Sequence, residues 1–408
     1  MKFLHLADLH IGKTVNDFPM IADQRYALEQ IVEFVEDSSN NRIDAVLIAG
    51  DLYDKTSPSA EAVALVDWFL TELSRAGVAC FAIPGNHDSA ERVGYASGML
   101  ENNGIYLAGP YQGELAHQQM EDEFGSVDFW LLPFVRPANV RGYFPNDEIG
   151  TSYTAALRAI INHSAIDFAK RNVILSHQFV SFGTVKPETS DSEIASVGGL
   201  DEVSSAVFDG FDYVALGHIH KSQAIATRNI RYSGSLLKYS FSEARQEKAF
   251  PIVTLREKGS AQIDELRLKP LHDLREVSGP LDELTSPKIA ASAPTDDYLH
   301  VILTDDHPII NALQRLRSVY PNIMSMDYQN TLNRSSRTQH RIPNIDKNDF
   351  SPEKLFEKFY EEQFGGRLTK LQRSIVSREL SRCLDDEASE STATKIEESM
   401  EGPLDETD

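Results

Sequence analysis

Cysteine is nearly missing from this chain: 408 residues contain two, Cys80 and Cys383, and neither has a second cysteine at ligand spacing. That excludes a disulfide framework and a thiolate zinc cage, and it fits a reducing cytoplasmic setting. Cys80 lies in the apolar run Val78–Ile83 and reads as a core residue. Long apolar runs are also missing. No stretch approaches the roughly 20 residues needed to cross a bilayer, and the opening Met1–Asp8 turns polar too early for a signal peptide. No membrane association is expected. The third shortage is positive charge, with 39 Lys and Arg against 62 Asp and Glu and a net charge of -23. Such a chain as a whole repels polyanions. Residues 385–408 hold ten acidic side chains against Lys395 alone, -9 of the total, but the remaining body is still acidic. A nucleic-acid substrate therefore requires bound metals or a partner subunit to supply a positive field, whereas a small substrate does not.

What is present is an ordinary globular composition, 41% hydrophobic and 25% charged, long enough for two or three domains. The first hundred residues alternate strand and helix: a strand at Phe3–Ala7, a helix over Met20–Glu36, and a buried strand at Ala45–Ala49. A helix capped by Ser59 then runs to Arg75, followed by a strand at Val78–Ile83 and a helix begun near Ser89. This rhythm predicts parallel strands with helices packed on the sheet. After Gly104 short strands dominate, among them Phe129–Phe134, Val173–Ser176, Tyr213–Leu216, Ile252–Arg256 and Gln262–Leu268, with one helix at Ser152–His163. Together they suggest a two-sheet sandwich flanked by helices. The loop-rich stretch Pro270–Pro294 marks a boundary. Beyond it a small βαβ unit is expected over Tyr298–Tyr328, then a polar stretch with Arg334, Arg337, His340 and Arg341. Helices are expected over Ser351–Phe364 and Leu368–Leu384, and the acidic tail reads as disordered. The expected divisions are 1–270, 271–346, 347–384 and 385–408.

Five polar pieces follow apolar strands, at the ends where α/β sheets place their chemistry. They are Asp8-Leu9-His10, Gly50-Asp51-Leu52-Tyr53-Asp54, Gly85-Asn86-His87-Asp88, His177 after Leu175-Ser176, and His218-Ile219-His220. Each alone is a weak signal; a lone Gly-Asn-His-Asp is more often a turn, and His177 alone could be a hydrogen-bonded core histidine. Five in order are not. In Asp-x-His and His-x-His, alternate side chains of an extended backbone point the same way and can reach one site. Carboxylate, amide oxygen and imidazole suit Mn²⁺, Fe²⁺ or Zn²⁺. Asp88 is expected to cap the following helix. His5, His117, His163, His272, His300 and His307 lack partners at ligand spacing and read as structural or solvent-facing.

The ordered set resembles the calcineurin-like metallophosphoesterase superfamily. Within it, the chain is similar to the bacterial nuclease subunits that are counterparts of the Mre–Rad nuclease. The narrower likeness rests on Asp23-Gln24-Arg25-Tyr26, Ala49–Asp54, Pro84–Arg92 and Tyr232–Glu243, the last without a metal ligand in it. It is strong over 1–270. The resemblance implies a four-layer αββα sandwich with a small α/β capping domain and C-terminal helices. It also implies two divalent ions, of the Mn²⁺ kind: one held by Asp8, His10, Asp51 and His220, the other by Asp51, Asn86, His177 and His218. His87 is then the group that stabilises the transition state and protonates the leaving 3′-oxygen, and Asp54 is placed to orient His87.

Three classes compete for the activity: a DNA nuclease subunit working with an ATPase, a phosphomonoesterase or phosphodiesterase acting on a small nucleotide, and a silent scaffold. His87 beside an intact ligand set disfavours the scaffold. Protein phosphatases of the superfamily carry an arginine just after the second motif, and here Lys55-Thr56-Ser57-Pro58 follows Asp54. The resemblance further implies partners: an ATPase subunit docked on the C-terminal helices, a homodimer through Ala60–Leu73 and Arg92–Leu100 giving a two-plus-two assembly, and DNA. Separately, the acidic balance directs attention to Lys238, Arg245, Arg334, Arg337 and Arg341, which either touch DNA beside the metals and the ATPase or are solvated surface.

Overall fold

A computed structural model gives the fold and describes residues 1–37, 42–193, 201–329, 356–357, 360 and 367–379. The chain divides into two compact units. The first takes in residues 1–277, 291–301 and 317–325, and the second residues 278–290, 302–316 and 326–408. Every candidate site residue lies in the first. Arg334, Arg337, His340, Arg341, Cys383 and the tail lie outside the described residues, as does most of the helix expected over 351–364; of the helix expected from Leu368, residues 370–379 are helical.

Two six-stranded sheets form the first unit. The strands in chain order are β1 (Lys2–Leu6), β2 (Ala45–Ala49), β3 (Ala79–Ile83), β4 (Ile105–Leu107), β5 (Ala116–Asp122), β6 (Gly125–Leu132), β7 (Arg171–His177), β8 (Tyr213–Gly217), β9 (Gln223–Ile225), β10 (Thr227–Tyr232), β11 (Ala249–Leu255) and β12 (Ala261–Arg267). One sheet has the order β12-β11-β1-β2-β3-β4 and the other β9-β10-β8-β7-β6-β5. β1 to β4 run parallel, as do β6, β7, β8 and β10, while the hairpin partners β11, β12, β5 and β9 are antiparallel. The helices α1 (Ile21–Glu36), α2 (Ala60–Arg75) and α3 (Tyr153–His163) cover the outer faces. Ser59 caps α2, its hydroxyl accepting from the Ala62 N–H.

Alternation along the strands explains the layering. In β1, β2 and β3, Phe3, Leu47 and Phe81 face the second sheet, where they meet Phe129, Val173 and Leu175. Leu4, Val46 and Cys80 face the opposite way and pack with Leu28, Ile31 and Phe69 of the helices. Trp130, Ile174 and Val214 do the same under α3. Phe81 and Phe129 stack across the two sheets with centroids 4.4 Å apart, an arrangement that adds about 1 kcal/mol beyond burial. The result is the expected four-layer αββα sandwich. Strands with both faces covered also explain the unbroken apolar runs of β2 and β8.

At the end of the sandwich away from Asp8 and His177, the buried Arg171 side chain ties the sheets together. It donates to the Arg256 carbonyl at 2.7 Å and to Asp122 Oδ1 at 2.5 Å. Burial works against a charged Asp122, but the Arg171 guanidinium holds its carboxyl well below the usual carboxylate range. A carboxyl whose pKa falls on folding adds stability above its unfolded value, near about 4, and loses it as the pH drops towards the folded value. Asp122→Asn is therefore expected to cost about 3 kcal/mol at pH 7, because it leaves Arg171 buried without its charge partner. The gap from wild type should narrow steadily between pH 5 and the acid limit (about 2) of reversible melting. Urea melts across that range check it; a gap independent of pH would refute the linkage.

Candidate metal centre

The C-terminal ends of β1, β2, β3, β7 and β8 carry the site. The chain leaves β1 and β2 through strained turns in which Asp8, His10 and Asp51 take positive φ values of 52°, 46° and 52°, and His218 after β8 takes 98°. Non-glycine residues hold this conformation only where surrounding bonds over-determine it. Here they do. The Asp8 N–H donates to the Gly50 carbonyl at 3.0 Å and the His10 N–H to the Asp51 carbonyl at 2.9 Å. The Asp8 carboxylate accepts the His218 N–H at 2.9 Å. Gly85 is needed for close approach: a Cβ there would sit 2.1 Å from Asp51 Oδ1.

All seven expected ligands converge, and all but Asn86 and His218 are fully buried as residues. Asn86 Oδ1 lies 3.0 Å from both His177 Nε2 and His218 Nδ1. His177 Nδ1–H is spent on the Ala49 carbonyl at 2.8 Å, which turns Nε2 towards Asp51 Oδ2, 3.3 Å away. On the other side, His10 Nε2 and His220 Nε2 face each other at 3.1 Å, with Asp51 Oδ2 3.6 Å from His10 Nε2. Asp8, His10 and His220 offer atoms within 4.8 Å of one another, as do Asp8, Asp51 and His177. Electron-rich atoms crowd two adjacent spots and Asp51 borders both. Carboxylate, amide-oxygen and imidazole-nitrogen atoms gathered in this way fit divalent cations.

The electrostatics agree. Burial works against a charged His177, but Asp51 beside it raises its pKa to about 9. His218 and His220 are pushed down to about 3 and about 4, chiefly by burial. Burial also lifts Asp8 to about 8. The demand for positive charge is thus centred on Asp51.

His87 stands at the edge of this cluster, partly exposed. Its N–H donates to Asp51 Oδ1 at 2.9 Å, and its ring lies edge-on to His10 with centroids 4.8 Å apart. His87 Nδ1 is 3.0 Å from the Asp54 carbonyl oxygen, so Nδ1 carries the hydrogen and Nε2 is left free. Asp54 thus meets His87 through its backbone. Its carboxylate goes instead to Lys13 Nζ at 2.7 Å and lies 3.5 Å from His10 Nδ1.

Other expectations change in detail. Asp88 does not cap a helix; its carboxylate accepts the N–H groups of Gly85, Leu52 and Tyr53 and so laces the Asn86 turn to the Asp51 turn. Lys238 is turned inward, 2.8 Å from Asp273, and is not offered to a polyanion, whereas Arg245 is exposed. His5 is buried between the sheets, bonded to the Tyr213 hydroxyl. Two supports had no signal of their own in the sequence. Gln24 in α1 takes the Gly12 N–H on its oxygen and donates to the His10 carbonyl at 2.7 Å, and Tyr239 donates to the Leu9 carbonyl. These bonds clamp the strained Asp8–His10 turn. Their only trace is that Gln24 and Tyr239 belong to the two motifs that carry no ligand.

Comparison with known proteins places these residues in context. Residues 1–222 match the family model described as calcineurin-like phosphoesterase, and residues 270–364 match one described as Type 5 capsule protein repressor C-terminal domain. Over 391 residues the chain is 32% identical to the SbcD polypeptide of the nuclease SbcCD from Staphylococcus epidermidis, an alignment covering 95% of this chain and 100% of that relative.

Proposed function

Since the chain belongs to the calcineurin-like phosphoesterases and, within them, to the SbcD nucleases, we propose that it is the two-metal nuclease subunit of a complex with an SbcC-type ATPase. In that complex it cuts DNA, as a 3′–5′ exonuclease on duplex ends and an endonuclease on single strands and hairpins, in repair, recombination and replication. One observation carries the chemistry: two donor sets share Asp51, and His87 stands beside them with Nε2 unengaged. Asp8, His10, Asp51 and His220 hold one ion, and Asp51, Asn86, His177 and His218 the other. Histidine and oxygen donors without thiolate suit Mn²⁺. A pair of such ions supplies Lewis-acid stabilisation of the charge that develops on the phosphoryl group. In its doubly protonated form, with the Nδ1 hydrogen held by the Asp54 carbonyl, His87 gives the second ring proton, at Nε2, to the leaving 3′-oxygen. The Asp54 carbonyl keeps that ring turned outward, and its carboxylate steadies His10.

Residues 1–270 form the nuclease domain and 271–346 the capping domain, a division supported by the second family model starting at 270. Residues 347–384 dock on the ATPase, as the exposure of Leu371 (71%) and Ile375 (44%) supports. Tyr95 and Met99, 80% and 75% exposed, suit a homodimer through this face and hence a two-plus-two assembly in the cytoplasm. No helix among the described residues is long and apolar enough to cross a membrane.

The test is cleavage of blunt duplex and hairpin DNA by the reconstituted complex, with and without Mn²⁺ and ATP, beside a cyclic nucleotide. Metal- and ATP-dependent DNA cutting by a two-plus-two particle is expected. Turnover of the cyclic nucleotide with no DNA cleavage would replace this reading by a small-nucleotide phosphodiesterase, the outcome that a net charge of -23 favours.

A further inference from the structure

Behind His220 lies a buried ion pair to which no role has been given. Glu243 ends a short 3₁₀ turn, Phe241–Glu243, and is 0% exposed. Lys248 Nζ, on a side chain only 12% exposed, lies 2.6 Å from Glu243 Oε2. Lys248 also donates to the His220 carbonyl at 2.9 Å and to Ser235 Oγ at 2.8 Å, so the pair is anchored to the ligand's own backbone. The second carboxylate oxygen, Oε1, lies 2.5 Å from Ser192 Oγ, and that hydroxyl is 2.7 Å from His220 Nδ1.

The direction of this chain of bonds is fixed by chemistry. A carboxylate can only accept, so the Ser192 hydroxyl hydrogen goes to Glu243. A hydroxyl has one hydrogen, so Ser192 must accept from His220, and Nδ1 is the protonated nitrogen. Nε2 is therefore left with its lone pair on the side facing His10 Nε2, 3.1 Å away. The same outcome at His177 is produced by a backbone carbonyl, that of Ala49. Among the described residues no carbonyl takes that place at His220, and a side-chain relay substitutes for it.

We propose that Glu243, held by Lys248, is a positioning residue: through Ser192 it sets the tautomer and ring orientation of His220 and so preorganises the ion site of Asp8, His10, Asp51 and His220, leaving the other site alone. The proposal rests on the reading of His220 as a metal ligand. It also gives the Tyr232–Glu243 segment a task in the metal centre although the segment holds no ligand.

A buried pair that served the fold alone would act on both ion sites equally, through stability. Mn²⁺ titration of the full chain by calorimetry separates the two. The double variant E243Q/K248M removes both charges together, so that no single charge stays buried, and Ser192→Ala breaks the relay without touching the pair. In both, one ion should keep its wild-type affinity and the other should bind about 10- to 100-fold more weakly, the range for loss of an outer partner of a ligating histidine. Two ions bound as in wild type by folded variants would overturn the proposal, and so would equal weakening of both with a lowered melting temperature. If the double variant does not fold, Ser192→Ala decides by the same criteria. His220→Ala is the control for the underlying reading. Should it still bind two ions, His220 is no ligand; should it lose one while the Glu243 and Ser192 variants lose none, only the positioning role fails.

Discussion

Asp51→Asn is expected to abolish measurable phosphodiester cleavage, a loss of at least about 10³-fold, and to weaken both ions at once. Its Oδ2 borders both nitrogen sets, 3.6 Å from His10 Nε2 and 3.3 Å from His177 Nε2. Asparagine preserves shape and can still accept the His87 N–H through Oδ1, as Asp51 does at 2.9 Å. What it removes is the charge on which the site is centred. Calorimetric Mn²⁺ titration alongside the cleavage assay checks this. If the variant lost a single ion and kept the other at full affinity, Asp51 would not be shared between the sites.

That these seven side chains come together was legible because strand ends and two-residue spacing are local. Asp8 and His10, or His218 and His220, sit within one turn of chain, and an apolar run announces each. The outer supports were not legible, since they join residues far apart: Gln24 to Tyr239, Ser192 to Glu243, Asp88 to Leu52. No periodicity connects such positions; only the fold does. Asp54 shows a second limit. Its proximity to His87 was readable from motif order, but whether a residue acts through its carboxylate or its carbonyl depends on a backbone turn that residue type does not specify. The fold shows the same divide. The parallel strands β1 to β3 were readable as buried apolar runs, whereas β5 was missed because an edge strand, Ala116–Asp122, is mostly exposed and polar. That β11 and β12 return to extend the first sheet, with Phe3 opposite Val253, is a pairing across some 250 residues, and no local signal encodes it.

His87→Ala should separate binding from chemistry. Turnover is expected to fall by about 10²- to 10⁴-fold, the range for loss of a general acid, while two Mn²⁺ ions bind with wild-type affinity. The geometry also contains a rival: His10, Asp51 and His87 offer atoms within 4.8 Å of one another, so His87 could be a ligand itself. Two points of structure weigh against that. Its ring is partly exposed where five of the seven other donors are fully buried, and it joins the site through the edge of His10. An acid acting at Nε2 makes a further demand that a ligand does not. Its removal should matter most when the departing oxygen is strongly basic, as a deoxyribose 3′-oxygen is, and least when the leaving group is an acidic phenol that departs without a proton. The deficit of His87→Ala should therefore shrink by at least about tenfold on a nitrophenyl phosphodiester relative to DNA. An equal deficit on both substrates, together with a lost ion, would move His87 into the metal shell; an equal deficit with both ions retained would leave it stabilising charge rather than transferring a proton.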